Sequence, residues 1–140
     1  MRLKGSSPEA VEVPQEIKQK VIDRITACIG IVQTQYGVPI KFPTITYDLR
    51  GRTAGQAKYT YDQTRPDAIW LIRLNSVLLI ENLYDMLLNT VPHEVAHLAV
   101  QAIHGREAAP HGIEWSNVMY YLGLSAQRTH NYNTSNSRMR

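Results

Sequence analysis

The 140-residue sequence predicts an α+β domain. Three observations carry that expectation. An amphipathic helical stretch opens the ordered part, three short strand-like runs follow, and strongly apolar helical stretches fill the second half. Helix, then strands, then helices is a segregated order, unlike the alternation that builds a parallel α/β sheet.

Each element has its own grounds. Residues 1 to 14 include Gly5, Ser6, Ser7, Pro8 and Pro14 without periodicity, and read as a flexible lead-in. Ile17, Val21, Ile25, Cys28, Ile29, Val32 and Tyr36 then recur at helical spacing, predicting a helix of about 20 residues that ends near Gly37 and Pro39. Thr44–Leu49, Gln56–Tyr61 and Ala68–Leu74 are the strand candidates. The third is the most apolar and is expected to be the most buried. Short polar loops between them predict a small, largely antiparallel sheet.

Asn75-Ser76 offers a helix cap before the apolar run Val77 to Leu88. Pro92 fits either the first turn of a new helix or a kink in a continuous one. Helical periodicity continues to Ile103, and Gly105 is suited to end the helix. Ile113, Val118, Met119, Leu122 and Leu124 mark a last helix, and the polar stretch Asn131 to Arg140 is expected to fray. The domain proper is read as residues 15 to 130.

Composition narrows the functional classes. The single cysteine, Cys28, excludes a disulfide framework and a Cys-x-x-Cys zinc module within the chain. Its place in an apolar helical stripe predicts an inert core thiol. No run of about 18 apolar residues predicts a membrane helix, and no leader pattern is visible, so a cytoplasmic location is expected by default. The formal charge of +3 is mild. Arg50, Arg52, Lys58, Arg65 and Arg73 fall in one region, and Arg128, Arg138 and Arg140 near the end, which makes DNA a candidate partner without a block of consecutive basic residues.

The chemistry is concentrated in Val91-Pro92-His93-Glu94-Val95-Ala96-His97-Leu98-Ala99-Val100. His93 and His97 are four apart, so on a helix they differ by about 40° of rotation and about 6 Å of rise. Both imidazoles leave one face and can bind one zinc ion. Glu94 can lie beside the ion and accept a proton from a water it activates, without being a ligand. Apart from histidines, Glu94 is the only ionisable side chain between Asp85 and Arg106, which suits a buried site.

Catalytic zinc takes three protein ligands and a water. His104 lies seven residues beyond His97, about 10 Å along the helix, too far for zinc–nitrogen bonds of about 2.0–2.1 Å. The longer metzincin pattern fails as well, because Val100 and Ile103 occupy its glycine and third-histidine positions. His111 follows a turn permitted by Gly105 and the five residues Arg106 to Pro110, and is the preferred third ligand. Glu107 and Glu114 are the weaker alternatives. Glu114 also fits a helix first turn, or a place behind a ligand histidine. His130, in a polar stretch, is not expected to bind metal.

The residues Val-Pro-His93-Glu94-x-Ala-His97-Leu, followed by Pro-His111-Gly-x-Glu114-Trp115, resemble the SprT-like zinc metalloproteases, the family that includes the Spartan protease. The similarity extends to Ala54-Gly55-Gln56-Ala57, Ile72-Arg73-Leu74-Asn75 and Arg128-Thr129-His130, spanning roughly residues 15 to 132. It implies a minimal zincin-like domain with His93, His97 and His111 as ligands, Glu94 as general base and one catalytic Zn2+. It also implies a protein substrate, with DNA as a further partner. Bacterial members usually carry a C-terminal cysteine-containing zinc ribbon, whereas no cysteine follows Cys28 here, which weakens the carry-over of DNA binding.

The leading expectation is therefore zinc-dependent peptide hydrolysis, with substrate adding to an exposed sheet edge at the Arg52–Tyr61 hairpin; the sequence names no oxyanion donor, and Tyr120 and Tyr121 are only weak candidates. A second reading is another zinc-dependent amide hydrolase, disfavoured because the deformylase pattern needs a cysteine ligand and Cys28 lies in the first helix. A third is a DNA-associated protein with non-catalytic zinc, disfavoured because such a site has no use for Glu94.

Overall fold

The computed structural model describes residues 11–109, 111–124, 130 and 132–137. Most of the lead-in, Pro110, Arg128-Thr129 and the last three residues lie outside that set. Helix α1 (Gln15–Tyr36) follows Pro14 and ends where Gly37 adopts φ 66°, its N–H returning to the Gln33 carbonyl. Its buried stripe is Val21, Ile25, Cys28, Ile29 and Val32. The Cys28 thiol is fully buried and burial pushes its pKa up, as expected of an inert core residue.

Strands β1 (Thr44–Leu49), β2 (Gly55–Tyr59) and β3 (Trp70–Asn75) form one sheet in the order β1-β3-β2. The third strand takes the centre because it has most apolar surface to bury: Trp70, Ile72 and Leu74 all face the core. The sheet is mixed rather than largely antiparallel, since β2 pairs β3 antiparallel but β1 runs parallel to it. Alternation of apolar residues is the same in both orientations, so it carried no information on this point. The Arg52–Tyr61 segment is correspondingly not a hairpin arm on β1. It supplies an edge strand paired only with β3.

Asn75 caps α2 (Ser76–Glu81), its side-chain oxygen accepting from the Leu78 N–H at 3.1 Å. The short α3 (Leu83–Asp85) leads into a π-helical stretch, Met86–Thr90, that runs directly into α4 (Val91–His104). Pro92 has no N–H to return to Leu88, and the backbone widens there: Val91 N–H bonds to the Met86 carbonyl. Pro92 thus lies in the first turn of α4 within a continuous helical path. The Arg24 guanidinium donates to the Leu87 carbonyl at 2.8 Å, tying this transition to α1. Helix α4 packs against α1, α5 (Ile113–Tyr121) and β2, so the motif helix is surrounded by the rest of the domain.

The described part of the polar C-terminal stretch is docked, where the sequence predicts fraying. Ser137 is buried, its hydroxyl accepts from Asn75 Nδ2 at 2.6 Å, and its carbonyl accepts from Gly51 N–H. Asn136 donates to Glu81, and the Tyr132 hydroxyl meets Thr90 Oγ1 at 3.1 Å. These are polar partners, which an apolar periodicity does not reveal. No described helix is long and apolar enough to cross a membrane.

Candidate metal centre

The site begins with α4. Its apolar flanks Val91, Val95, Ala96, Leu98 and Ala99 are buried and fix its rotation. That rotation sends His93 and His97 to the same side. Their rings are 5.1 Å apart. The chain leaves α4 at Gly105 (φ 64°), passes through a 3-10 turn (Gly105–Glu107) and returns at His111. His111 has φ 56°, the only positive value among described residues other than glycine. A histidine tolerates this left-handed conformation better than most residues, and such strain is concentrated at functional sites.

The return brings His111 Nε2 to 3.0 Å from His97 Nε2 and 3.2 Å from His93 Nε2. Two nitrogens bound tetrahedrally at about 2.0–2.1 Å from one zinc ion would be roughly 3.3 Å apart. The three ring nitrogens therefore converge at nearly the spacing a small cation requires. They form the one group of three or more potential ligand residues among those described. His104 is exposed at the end of α4 and outside the group, and His130 Nε2 instead contacts the Arg52 carbonyl at 2.6 Å. Glu114, in the first turn of α5, is also outside it. Glu107 is in the turn, and its side chain lies outside the described set.

Glu94 is buried beside this cluster, with a carboxylate oxygen 3.9 Å from His93 Nε2. Burial raises its pKa from 4.5 to about 8, and a hydrogen bond from the Ala57 backbone N–H acts in the opposite sense. A dication among the histidines would pull the carboxyl down further. His97 is pushed down from 6.5 to about 3, by burial first and then by the neighbouring charges of His93 and His111. A neutral imidazole is the form that binds metal.

Trp115 and Gly55 carry part of the family resemblance, but their place beside the histidines and Glu94 is not evident from the sequence. Trp115 is buried, with its ring centroid 4.9, 5.6 and 4.7 Å from those of His93, His97 and His111. Its indole N–H points to the His93 carbonyl at 3.5 Å. Gly55 lies against Glu94 and Thr90, a tertiary contact with no local signature. Of the candidate oxyanion donors, Tyr120 is 75% exposed and the Tyr121 ring packs edge-on against Tyr36.

Fold and site together define an α+β domain with a three-histidine group that can hold a metal ion. Residues 14–136 match the SprT-like family. Protein SprT of Vibrio parahaemolyticus is 37% identical over 123 residues, which is 87% of this chain and 67% of that protein. Protein SprT of Proteus mirabilis is 38% identical over 129 residues, 91% of this chain and 71% of that one. Protein SprT of Pectobacterium carotovorum is 40% identical over 119 residues, covering 84% and 62%. No solved structure matches. The chain belongs to the SprT-like family.

Proposed function

We propose that this chain is a zinc-dependent peptidase of the zincin type, with His93, His97 and His111 as ligands and Glu94 as general base. The single observation that carries the reading is the convergence of three Nε2 atoms with a buried carboxylate beside them but outside the ligand group. A purely structural zinc site takes four protein ligands; three leave a position for a reacting molecule. Bound zinc supplies a Lewis acid that polarises a carbonyl and acidifies water. The Glu94 carboxylate accepts the proton of the attacking water and delivers it to the leaving amine nitrogen. His93 and His97 stay fixed because α4 is packed on several sides, and Trp115 backs all three rings.

The substrate is an extended polypeptide. The Asn75 N–H bonds the Ala54 carbonyl and the Thr60 N–H bonds the Ile69 carbonyl, so even-numbered residues of β2 face β3. Backbone groups of Gly55, Ala57 and Tyr59 consequently line the free edge, next to α4. An extended peptide can pair with carbonyls there. Incubation of an unfolded protein with the zinc-loaded chain, followed by mass spectrometry, tests the reading. New peptide termini are expected. Turnover of small formyl or acyl amides without protein cleavage would favour the other amide hydrolase. A parallel arm with single-stranded DNA tests DNA as a partner, and salt-sensitive DNA binding without any cleavage would favour the non-catalytic reading.

A further inference from the structure

Gly55 and Ala57 lie two apart on β2, so they share one side of the strand; Gly55 lies against the Glu94 side chain, and the Ala57 backbone N–H lowers the pKa of its carboxyl. A Cβ placed on Gly55 would lie 3.0 Å from Glu94 Cγ, 3.0 Å from Thr90 Cγ2 and 3.2 Å from Glu94 Oε2. At these distances the neighbouring side chains would have to give by a few tenths of an ångström. The atoms met are all side-chain atoms of Glu94 and Thr90, one helical turn apart, so a side chain at position 55 would push directly on the Glu94 side chain. Gly55 is in β2 without a positive φ, so backbone freedom does not explain a glycine at this position. Close approach does.

Ala57 supplies the complementary attraction. Its N–H belongs to the set that points away from β3, so it takes no part in the sheet ladder. It is directed to the free edge instead, on the side where Glu94 lies, and its influence lowers the pKa of the Glu94 carboxyl. A bond from this N–H to Glu94 costs the sheet ladder nothing and gives a buried carboxylate a donor. Thr90 is held from the other side by the Tyr132 hydroxyl.

We infer that the free edge of β2 positions the Glu94 carboxylate, Gly55 by leaving room for its side chain and Ala57 by donating its backbone N–H. This rests on the proposed role of Glu94. Gly55 and Ala57 are positioning residues: they act on substrate chemistry through Glu94. They also couple the edge offered to substrate with the group that moves the proton, so displacing one displaces the other.

The test has two arms on the full chain with zinc. The first is amide hydrogen exchange read residue by residue. The Ala57 amide is expected to exchange at least about tenfold more slowly than that of Tyr59, which points the same way off the strand. Glu94→Ala should remove that protection, and Glu94→Gln, which keeps an acceptor oxygen, should retain it. Equal protection of Ala57 in wild type and Glu94→Ala would overturn the inference. The second arm is Gly55→Ala, with Gly30→Ala as the control, since a Cβ at Gly30 of α1 meets nothing within 4 Å. Gly55→Ala should bind zinc as wild type does and lower kcat by roughly a hundredfold with little change in KM. An unchanged kcat would overturn the inference as well. If the wild-type chain cleaves no protein, the proposed function fails on its own, and the exchange arm still decides the positioning. If Gly55→Ala does not fold, the exchange arm again decides.

Discussion

The Nε2 atoms of His97 and His111 lie 3.0 Å apart, although fourteen residues and the end of a helix separate them in the chain. That closure makes the motif helix one half of a site and the turn from Gly105 to His111 the other. His111→Ala and His93→Ala should each weaken zinc binding by more than the roughly 10–100-fold that losing a supporting residue costs. His104→Ala should leave it unchanged. Competition against a chromophoric chelator measures all three, and full zinc retention by His111→Ala would remove it from the ligand set.

Metal-free protein should show an unusual pH dependence. The folded pKa of Glu94 is raised from 4.5 to about 8, so its contribution to stability is complete below 4.5 and lost as the pH climbs to about 8. The folded pKa of His97 is lowered from 6.5 to about 3, so its contribution is complete above 6.5 and lost toward about 3. Of these two groups, only Glu94 changes between pH 6.5 and 8, and unfolding free energy should fall across that window. Urea denaturation at both pH values should show the decline in wild type and not in Glu94→Gln.

Trp115 joins the core to the histidines. Trp115→Ala should cost about 3–5 kcal/mol of stability, as large-to-small core changes do. Trp115→Phe keeps a ring but loses the indole N–H that faces the His93 carbonyl. It should remain folded and bind zinc roughly tenfold more weakly. Thermal unfolding with and without metal separates the two effects.

Asn75 is fully buried and holds four partners: its Nδ2 reaches the Gly51 and Thr53 carbonyls and Ser137 Oγ, and its oxygen caps Leu78. Asn75→Ala removes a cap and leaves buried acceptors unpaired, for an expected loss of about 2–4 kcal/mol. The loop before β2 and the docked C-terminal stretch should loosen together, which limited proteolysis would detect.

The convergence of the three histidines was legible because two simple rules act on it. Helical spacing places His93 with His97 and excludes His104, and a glycine-ended helix allows His111 to return. The three strands were legible as short runs between polar loops, but not their orientation. The contacts of Gly55 and Ala57 with Glu94, and of Ser137 with Asn75, were not legible. Each joins residues distant in the chain through sterics or single polar bonds, which leave no periodic trace. Pro92 lies between these cases: the sequence marks a disturbance, and only the backbone shows that the helical path widens rather than breaks.

In the proposed reaction Glu94 moves the proton of a zinc-dependent hydrolysis. The most direct measurement of this role is cleavage of an unfolded protein by wild type and Glu94→Gln at matched zinc content. Wild type should generate new peptide termini, and Glu94→Gln should hold one zinc per chain while losing cleavage by a factor of at least about a hundred. Equal cleavage by the two proteins would contradict the account.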